Sequence, residues 1–494
     1  MQRLLSADWI GGDGTLSSQR LEKLQGGAGR MASDQDLNSG SVGRALVRVS
    51  APMTLGILGV LSVGLADAFF LARHGDASLA AIGFIFPVTT ALTSLSIGLS
   101  AGTSAVLSRS IGGGAKDDEQ ARMTLHAMLL GAILSVIVAV FFYFVAGWLF
   151  GLMGADGKVL DAAVGYVPYW CASFPVLVVG MSLNSVFRAG GRSEVAAIAM
   201  LAQSVVNIGL DPVMIFGWGP LPEQGTAGAG LATLIARGLS FVGVCIFAIR
   251  VRALRLDCSP MRDITSSFQA IGKVGAPAAL SNAINPAGMA IITAAVATIS
   301  DAAVAGFGAA GRIQAFVIIP MLALSSGIGP VVGQAWGAEK TGRARAAVRL
   351  TFVVCVIYSL AVAALLLIIA DPVATLMTAG DGAKDFTASY LRIASWGFFG
   401  YGVLITANAA MNARDRALWS MTLSASRIFL IYVPAAWAGV MVFGYTGILA
   451  ATVTANAIAA WAAIVACRSV GLLDEQWAIV ETPARWIAQR SRQA

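Results

Sequence analysis

A chain that returns about a dozen times to runs of roughly twenty apolar residues, each long enough to cross a bilayer, has few folds open to it. Divided at its Gly, Pro and charge clusters, the sequence gives twelve such cores, near 52–71, 81–106, 125–149, 160–186, 195–216, 227–249, 270–299, 303–332, 350–369, 388–409, 419–442 and 448–467. Inside hydrocarbon every backbone N–H and C=O must find its partner within its own segment, so each core is read as a helix and the chain as an all-α membrane protein. Composition agrees. The 494 residues are 57% hydrophobic and 12% charged, with a mean hydropathy of +0.77, against roughly 25% charged in soluble domains. An even number of crossings leaves both termini on one side.

The net charge of +7 is spread between apolar runs rather than gathered in one patch, which excludes nucleic acid as a partner and fits the anionic cytoplasmic leaflet. Arg44 and Arg48 precede the first span, Arg109, Lys116 and Arg122 lie between spans two and three, and Arg188 and Arg192 lie between four and five. Arg250, Arg252, Arg255, Arg262 and Lys273 surround the junction of spans six and seven; Lys340, Arg343 and Arg345 follow span eight, Arg414 and Arg416 follow span ten, and Arg485, Arg490 and Arg492 end the chain. All of these fall on one side, with Arg73, Lys158 and Lys384 as the exceptions, so both termini are expected in the cytoplasm of a cell whose inner membrane holds the protein. Residues 1–43, mixed Ser, Gly, Asp and Arg with no apolar signal region, are expected to form a disordered cytoplasmic tail in which Met31 is an alternative start, and 471–494 a second tail.

Catalysis finds little support. Cys171, Cys245, Cys258, Cys355 and Cys467 show no CxxC spacing, His74 and His126 are the only histidines, and there is no P-loop, nucleophile elbow or HExxH. Neither an enzyme nor a resident metal or cofactor is expected.

The chain also repeats itself. The stretch from Ser50, "SAPMTLGILGVLSVGLADAFFLARHGDASLAAIGF", aligns without a gap with "GAPAALSNAINPAGMAIITAAVATISDAAVAGFGA" from Gly275, setting Pro52 on Pro277 and Asp76 on Asp301 at an offset of 225. "LSAGTSAVLSRSIGG" at Leu99 pairs with "LSSGIGPVVGQAWGA" at Leu324 at the same offset, and "NSVFRAGGR" from Asn184 pairs with "NAAMNARDR" from Asn408 at 224. Two parallel six-helix repeats follow, an N-lobe over 44–255 and a C-lobe over 256–470. The close-spaced small residues of "GLSAGTSAVLSRSIGGG" read as a packing or hinge surface.

Duplication supplies an internal control, because structural residues tend to recur in both halves while a specialised site need not. Asp67 aligns with Ile292, and setting Pro212 against Pro434 places Asp211 opposite Val433, so both intramembrane acids belong to the N-lobe alone. Asp67 lies six residues before Arg73 and Asp211 six before Gly217, which puts them at similar depth in the outer part of the membrane. Asn207 shares the face of Asp211 at i−4, and Thr233 and Tyr166 reach a comparable level on spans six and four. A carboxylate in hydrocarbon costs ~2.5–3.5 kcal/mol or more on insertion scales and usually marks an ion or proton path. A salt bridge or polar helix contact is the competing reading of either acid alone. The residues leave open whether the pair takes a proton or a sodium ion. Arg237 and Arg312, well inside spans, are read as structural, and Met181, Met289, Phe316 and Met321 as contributors to an adaptable apolar cavity.

These stretches, together with "NIGLDPVMIFGWGPLPEQGTAGAGLAT" and "GPVVGQAWGAEKTGRA", closely resemble the multidrug and toxic compound extrusion (MATE) family over nearly the whole chain after the tail. The resemblance implies a V-shaped bundle of twelve helices in two lobes that exports cationic or polyaromatic compounds in exchange for protons or sodium ions; a monomer is expected. It is closest to the DinF-like branch, whose first-helix acid and fifth-helix Asn-x-x-x-Asp correspond here to Asp67, Asn207 and Asp211, with Tyr166 and Thr233 at neighbouring polar positions. Asn184 also matches a family position, although it lies toward the cytoplasmic end of span four and recurs as Asn408. The seventh-helix acid of the NorM-like branch has no counterpart here. Lipid-linked saccharide flippases of the same superfamily are the nearest rival; they need a cationic cavity for a pyrophosphate, whereas the specialised charges identified from the sequence are acidic. A major-facilitator transporter should carry GxxxDRxGRR after its second span, where "GGGAKDDEQAR" stands.

Overall fold

The computed structural model describes residues 36–218, 222–255, 261–378 and 381–474. Met31 and the rest of 1–35, Cys258, and Arg485, Arg490 and Arg492 of the C-terminal tail lie outside the described residues. Among the described residues the structure is helical, and the breaks in its helices resolve it into twelve crossings.

The first six crossings are single helices: α1 (Val42–His74), α2 (Asp76–Gly112), α3 (Asp117–Leu152), α4 (Gly157–Ala189), α5 (Ser193–Phe216) and α6 (Gly225–Arg250). Local chemistry sets their ends. Ser41 caps α1 by accepting from the Arg44 amide at 3.4 Å, and Asp117, Asp118 and Glu119 occupy the first turn of α3, where carboxylates complement the helix dipole. The seventh is α7 (Ile264–Ala297) and the ninth α10 (Thr341–Met377).

The other C-lobe crossings are broken. Crossing eight is α8 (Asp301–Val317) and α9 (Ile319–Gly337), bent by 44°, with Pro320 at the start of the second piece interrupting the hydrogen-bond ladder. Crossing ten is α11 (Asp381–Ile393) and α12 (Phe398–Ala413), joined by a 3₁₀ turn over Ala394–Gly397. Crossings eleven and twelve run through α13 (Ala417–Ala425), a π turn over Ser426–Tyr432, and α14 (Val433–Ser469). Inside α14 the chain reverses at Gly444, whose φ of 58° suits a residue without Cβ.

In the N-lobe, α4 packs against α2, α3 and α6, while α5 packs against α1 and α6. Its core centres on Trp170 stacked on Phe174 at 4.8 Å, with Phe142 edge-on to Trp170 at 5.4 Å. In the C-lobe, α12 packs against α9, α10 and α14. The lobes meet where α2 crosses α7 and where α9 lies on α1 and α2. Glycines permit that approach: a Cβ on Gly98 would stand 2.4 Å from the Ala279 backbone nitrogen, and one on Gly112 2.1 Å from the Gln334 carbonyl oxygen. The small-residue stretch on α2 is thus the seam between the lobes.

This seam lies toward the end of the bundle that carries the basic loops, here called the basic end. Gln334 ties it together, donating to the Ala189 carbonyl at 2.7 Å and accepting from the Leu37 amide at 3.2 Å. Arg109 reaches across to the Ala413 carbonyl at 2.9 Å and to Asp415 at 3.8 Å, and His126 meets Ser267 at 2.8 Å. The twelve-crossing V therefore has its apex at the basic end.

Described residues at both ends of the sequence pack onto the body where tails are expected. Leu37 is buried, and Arg343 donates to the carbonyls of Leu37, Ser39 and Gly40, so 36–43 are fastened to the C-lobe and α1 begins at Val42 rather than at 44. The cause is a single apolar side chain with backbone acceptors around it, too short a signal to stand out in polar sequence. At the other end Leu472 and Leu473 are buried and Asp474 pairs with Arg345 at 2.6 Å and Arg349 at 3.2 Å, extending the packed body past 470.

Candidate coupling site and substrate cleft

Toward the splayed end of the N-lobe, α1 and α5 bring Asp67 and Asp211 within hydrogen-bonding reach of each other. Asp211 is fully buried, and one oxygen of each carboxylate is buried with no hydrogen-bond partner among the described residues. Two ionised carboxylates in this position repel, and a shared proton or a bound cation between them relieves that repulsion. Asn207, one turn before Asp211, donates at 3.4 Å to the Asp211 carboxylate and stands 3.4 Å from the Thr233 hydroxyl. Tyr166 on α4 faces Thr233 and lies within electrostatic range of both acids. Pro212, next to Asp211, cannot donate to the Ile208 carbonyl, which frees a backbone acceptor on the same turn.

Arg237 also belongs to this neighbourhood. It donates to Ser173 at 2.7 Å and lies within electrostatic range of Asp67, while its Nε has no partner among the described residues. It supplies a fixed positive charge one layer from the acids.

The structure separates Asn184 from Asp67, Asp211, Asn207, Thr233 and Tyr166. It lies eighteen residues beyond Tyr166 on the same helix, about 27 Å at the helical rise. It therefore belongs to the layer near the apex and not to the acid pocket.

In that layer the lobes enclose a cleft of ≈ 350 Å³ whose walls include Arg188, Ser100, Asn285, Asn408, Asn412 and Tyr401. Arg188 is the one charged residue among the described lining, and no carboxylate faces it there. The expectation that the specialised charges of the molecule are all acidic is corrected here. By its position near the end of span four Arg188 reads as a loop charge, but the helix runs to Ala189 and turns the guanidinium onto Ser100 at 2.7 Å. The repeat carries a signal for it: the offset pairing Asn184 with Asn408 sets Arg188 on Asn412, so this charge, like the two acids, belongs to one half alone. Of the residues expected to form an apolar cavity, Met181 lines the cleft, whereas Met321 is fully buried against Gly402 and Ser359 inside the C-lobe. Arg312 is exposed on α8.

The MatE family profile matches residues 52–213 and 277–438, two copies at the offset of 225 already seen between the halves. A protein named FAD transporter from Shewanella oneidensis is 33% identical over 423 residues, covering 85% of this chain and 93% of that one. The multidrug export protein MepA of Staphylococcus aureus is 24% identical, covering 85% and 92%. Among solved structures, the Vibrio cholerae MATE transporter VcmN in the bent form superposes with a TM-score of 0.81 at 28% identity, covering 87% of this chain and 96% of that one. The chain belongs to the MATE family of efflux transporters.

Proposed function

We propose that this protein is a secondary antiporter that exports polyaromatic organic compounds in exchange for protons or sodium ions, with Asp67 and Asp211 as the coupling pair. The observation that carries the reading is the approach of two buried carboxylates to each other, in one lobe only, whose mutual repulsion a proton or cation would relieve. Arrival of that charge stabilises the arrangement of α1 against α5; its loss pushes the helices apart. Because α1 also packs on α9 at the lobe seam, a change in α1 biases the seam. By the distribution of Lys and Arg the apex is cytoplasmic and the splayed end faces outward, with both termini inside. Asn207, Thr233 and Tyr166 position the pair, and the Asn-x-x-x-Asp on α5 supports placement near the DinF-like branch.

The test is efflux of ethidium and of FMN from an efflux-deficient bacterial host, comparing wild type with Asp67→Asn and Asp211→Asn at matched membrane expression, with and without sodium. Loss of efflux in both variants is expected, and the sodium-free arm identifies the ion. Wild-type rates in Asp211→Asn would remove the pair from the mechanism.

Substrate charge has two readings. The MepA relative is named for multidrug export, in line with the cationic compounds that the family resemblance implies, and the relative named FAD transporter favours an anionic aromatic compound. The absence of carboxylates among the described lining of the apex cleft favours the second. A lipid-linked saccharide flippase shares the need for a cationic cavity, but the curated relatives named above are drug and flavin nucleotide transporters.

A further inference from the structure

Arg188 of the N-lobe stands on the cleft wall with Ser100 as its hydrogen-bond partner and no carboxylate among the described residues to neutralise it. A guanidinium at membrane depth is expensive without a counter-charge, and here the open side of the cleft is where one can come from. A second arginine stands behind the opposite wall. Arg427 is buried on the π turn of crossing eleven, a distortion that often marks functional positions, and it donates to Asn285 and, at 2.9 Å, to Asn456 while lying over the Tyr401 ring. Neither acceptor is charged. Because arginine can only donate, Asn285 must turn its carbonyl oxygen toward Arg427, which leaves its amide N–H groups for the cleft it lines.

Each arginine is private to its lobe. Arg188 corresponds to Asn412, and at the offset that sets Pro212 on Pro434, Arg427 corresponds to Val205. The duplication thus placed a cation on each side of the cleft where the sister repeat has none. Asn408 and Asn412 add the complementary feature, since their Oδ1 atoms are buried with no partner among the described residues and can only accept. Tyr401 and Met181 supply flat and adaptable apolar surface.

We infer that this cleft binds an aromatic heterocycle bearing a phosphate or diphosphate, the anion held by Arg188 and the Asn285 amide in the field of Arg427, and ring N–H groups held by Asn408 and Asn412. The planar fork of arginine suits a phosphate, and the orphan acceptors select a ring with donors over a purely apolar tail. The inference rests on the cleft being part of the export route and names the substrate class of that route.

Equilibrium binding to the purified full-length protein tests it, because binding needs no ion gradient. The probes are FMN, riboflavin, which is the same ring without phosphate, ethidium, and geranylgeranyl diphosphate. FMN should bind roughly tenfold or more tightly than riboflavin, and Arg188→Gln should erase that preference while leaving riboflavin binding in place, which shows that the variant is folded. Arg188→Lys should recover part of it. Equal binding of FMN and riboflavin by wild type, or an undiminished FMN preference in Arg188→Gln, overturns the inference, and tighter binding of geranylgeranyl diphosphate than of FMN overturns its aromatic half. FMN preference without FMN efflux would leave the site standing and defeat the transport reading; ethidium efflux without FMN preference would do the reverse.

Discussion

Tyr166 and Tyr390 occupy equivalent positions in the two repeats, at the same offset of 224 that relates Asn184 to Asn408. Their surroundings differ. Tyr166 faces Thr233 beside two carboxylates, whereas the Tyr390 hydroxyl donates to Gln314 and its ring lies edge-on to Phe307 at 5.5 Å. Where the N-lobe has Asp67 the C-lobe has Ile292, fully buried, and where the N-lobe has Asp211 it has Val433. The same helical scaffold therefore supports a pocket holding two carboxylates in one half and an apolar, hydrogen-bonded core in the other. Because the two are duplicates, the polar shell around the acids is separable from the acids: the tyrosine is common to both, and the charge is not.

The largest expected effect follows from removing that charge. Asp67→Asn and Asp211→Asn should each reduce transport by at least about tenfold with membrane insertion intact, since an amide keeps the shape but cannot carry the exchangeable proton or cation. Putting the charge into the other lobe should fail differently. Ile292→Asp buries a carboxylate with no partner among the described residues, so destabilisation of about 2.5–3.5 kcal/mol or more is expected, visible as reduced yield and a lower unfolding temperature rather than as a second coupling site. A well-folded Ile292→Asp protein with altered ion dependence would show that the lobes are more nearly equivalent than their sequences indicate.

The seam offers the next comparison. Gly112 meets the Gln334 carbonyl so closely that a methyl group would stand 2.1 Å from it, while Gly114, two residues on, has open space around its Cβ position but a φ of 80°. Gly112→Ala should force α2 from α9 and cost roughly 1–3 kcal/mol of the closed apex, read as increased labelling of cysteines placed at the basic end. Gly114→Ala should affect only its own turn, through left-handed backbone strain, and leave labelling at wild-type level.

How much of this was legible depended on whether a residue acts through its neighbours in sequence or in space. The twelve crossings were readable because hydrocarbon thickness dictates segment length, and the repeat was readable because duplicated packing keeps Pro52 and Pro277, or Asp76 and Asp301, in register. The shared depth of Asp67 and Asp211 is readable by counting helical rise toward a common end, but that α1 and α5 are packed neighbours is not. Arg188 was missed because helix ends are uncertain by a few residues, and three residues decide whether an arginine at that level is a loop charge or a cleft wall. The bend between α8 and α9 and the π turn that positions Arg427 left no periodicity to read. Leu37 was missed because one apolar side chain in a polar tail carries no pattern at all; its burial depends on Gln334 and Arg343, some three hundred residues away.

The two tyrosines give the smallest effect and the sharpest form of the comparison. Removing either hydroxyl deletes one hydrogen-bonding group from a buried site, so Tyr166→Phe and Tyr390→Phe should lower stability by comparable amounts, about 0.5–1.5 kcal/mol each. Transport should separate them. Tyr166→Phe alters the polar shell of the carboxylate pair and should change the ion dependence of efflux several-fold, whereas Tyr390→Phe, whose hydroxyl donates to Gln314 with Tyr432 and Tyr445 nearby, should leave it within about twofold at equal stability loss. Equal shifts in ion dependence from both variants would mean that the C-lobe tyrosine communicates with the acids through the seam, and that coupling is a property of the whole bundle and not of the N-lobe pocket.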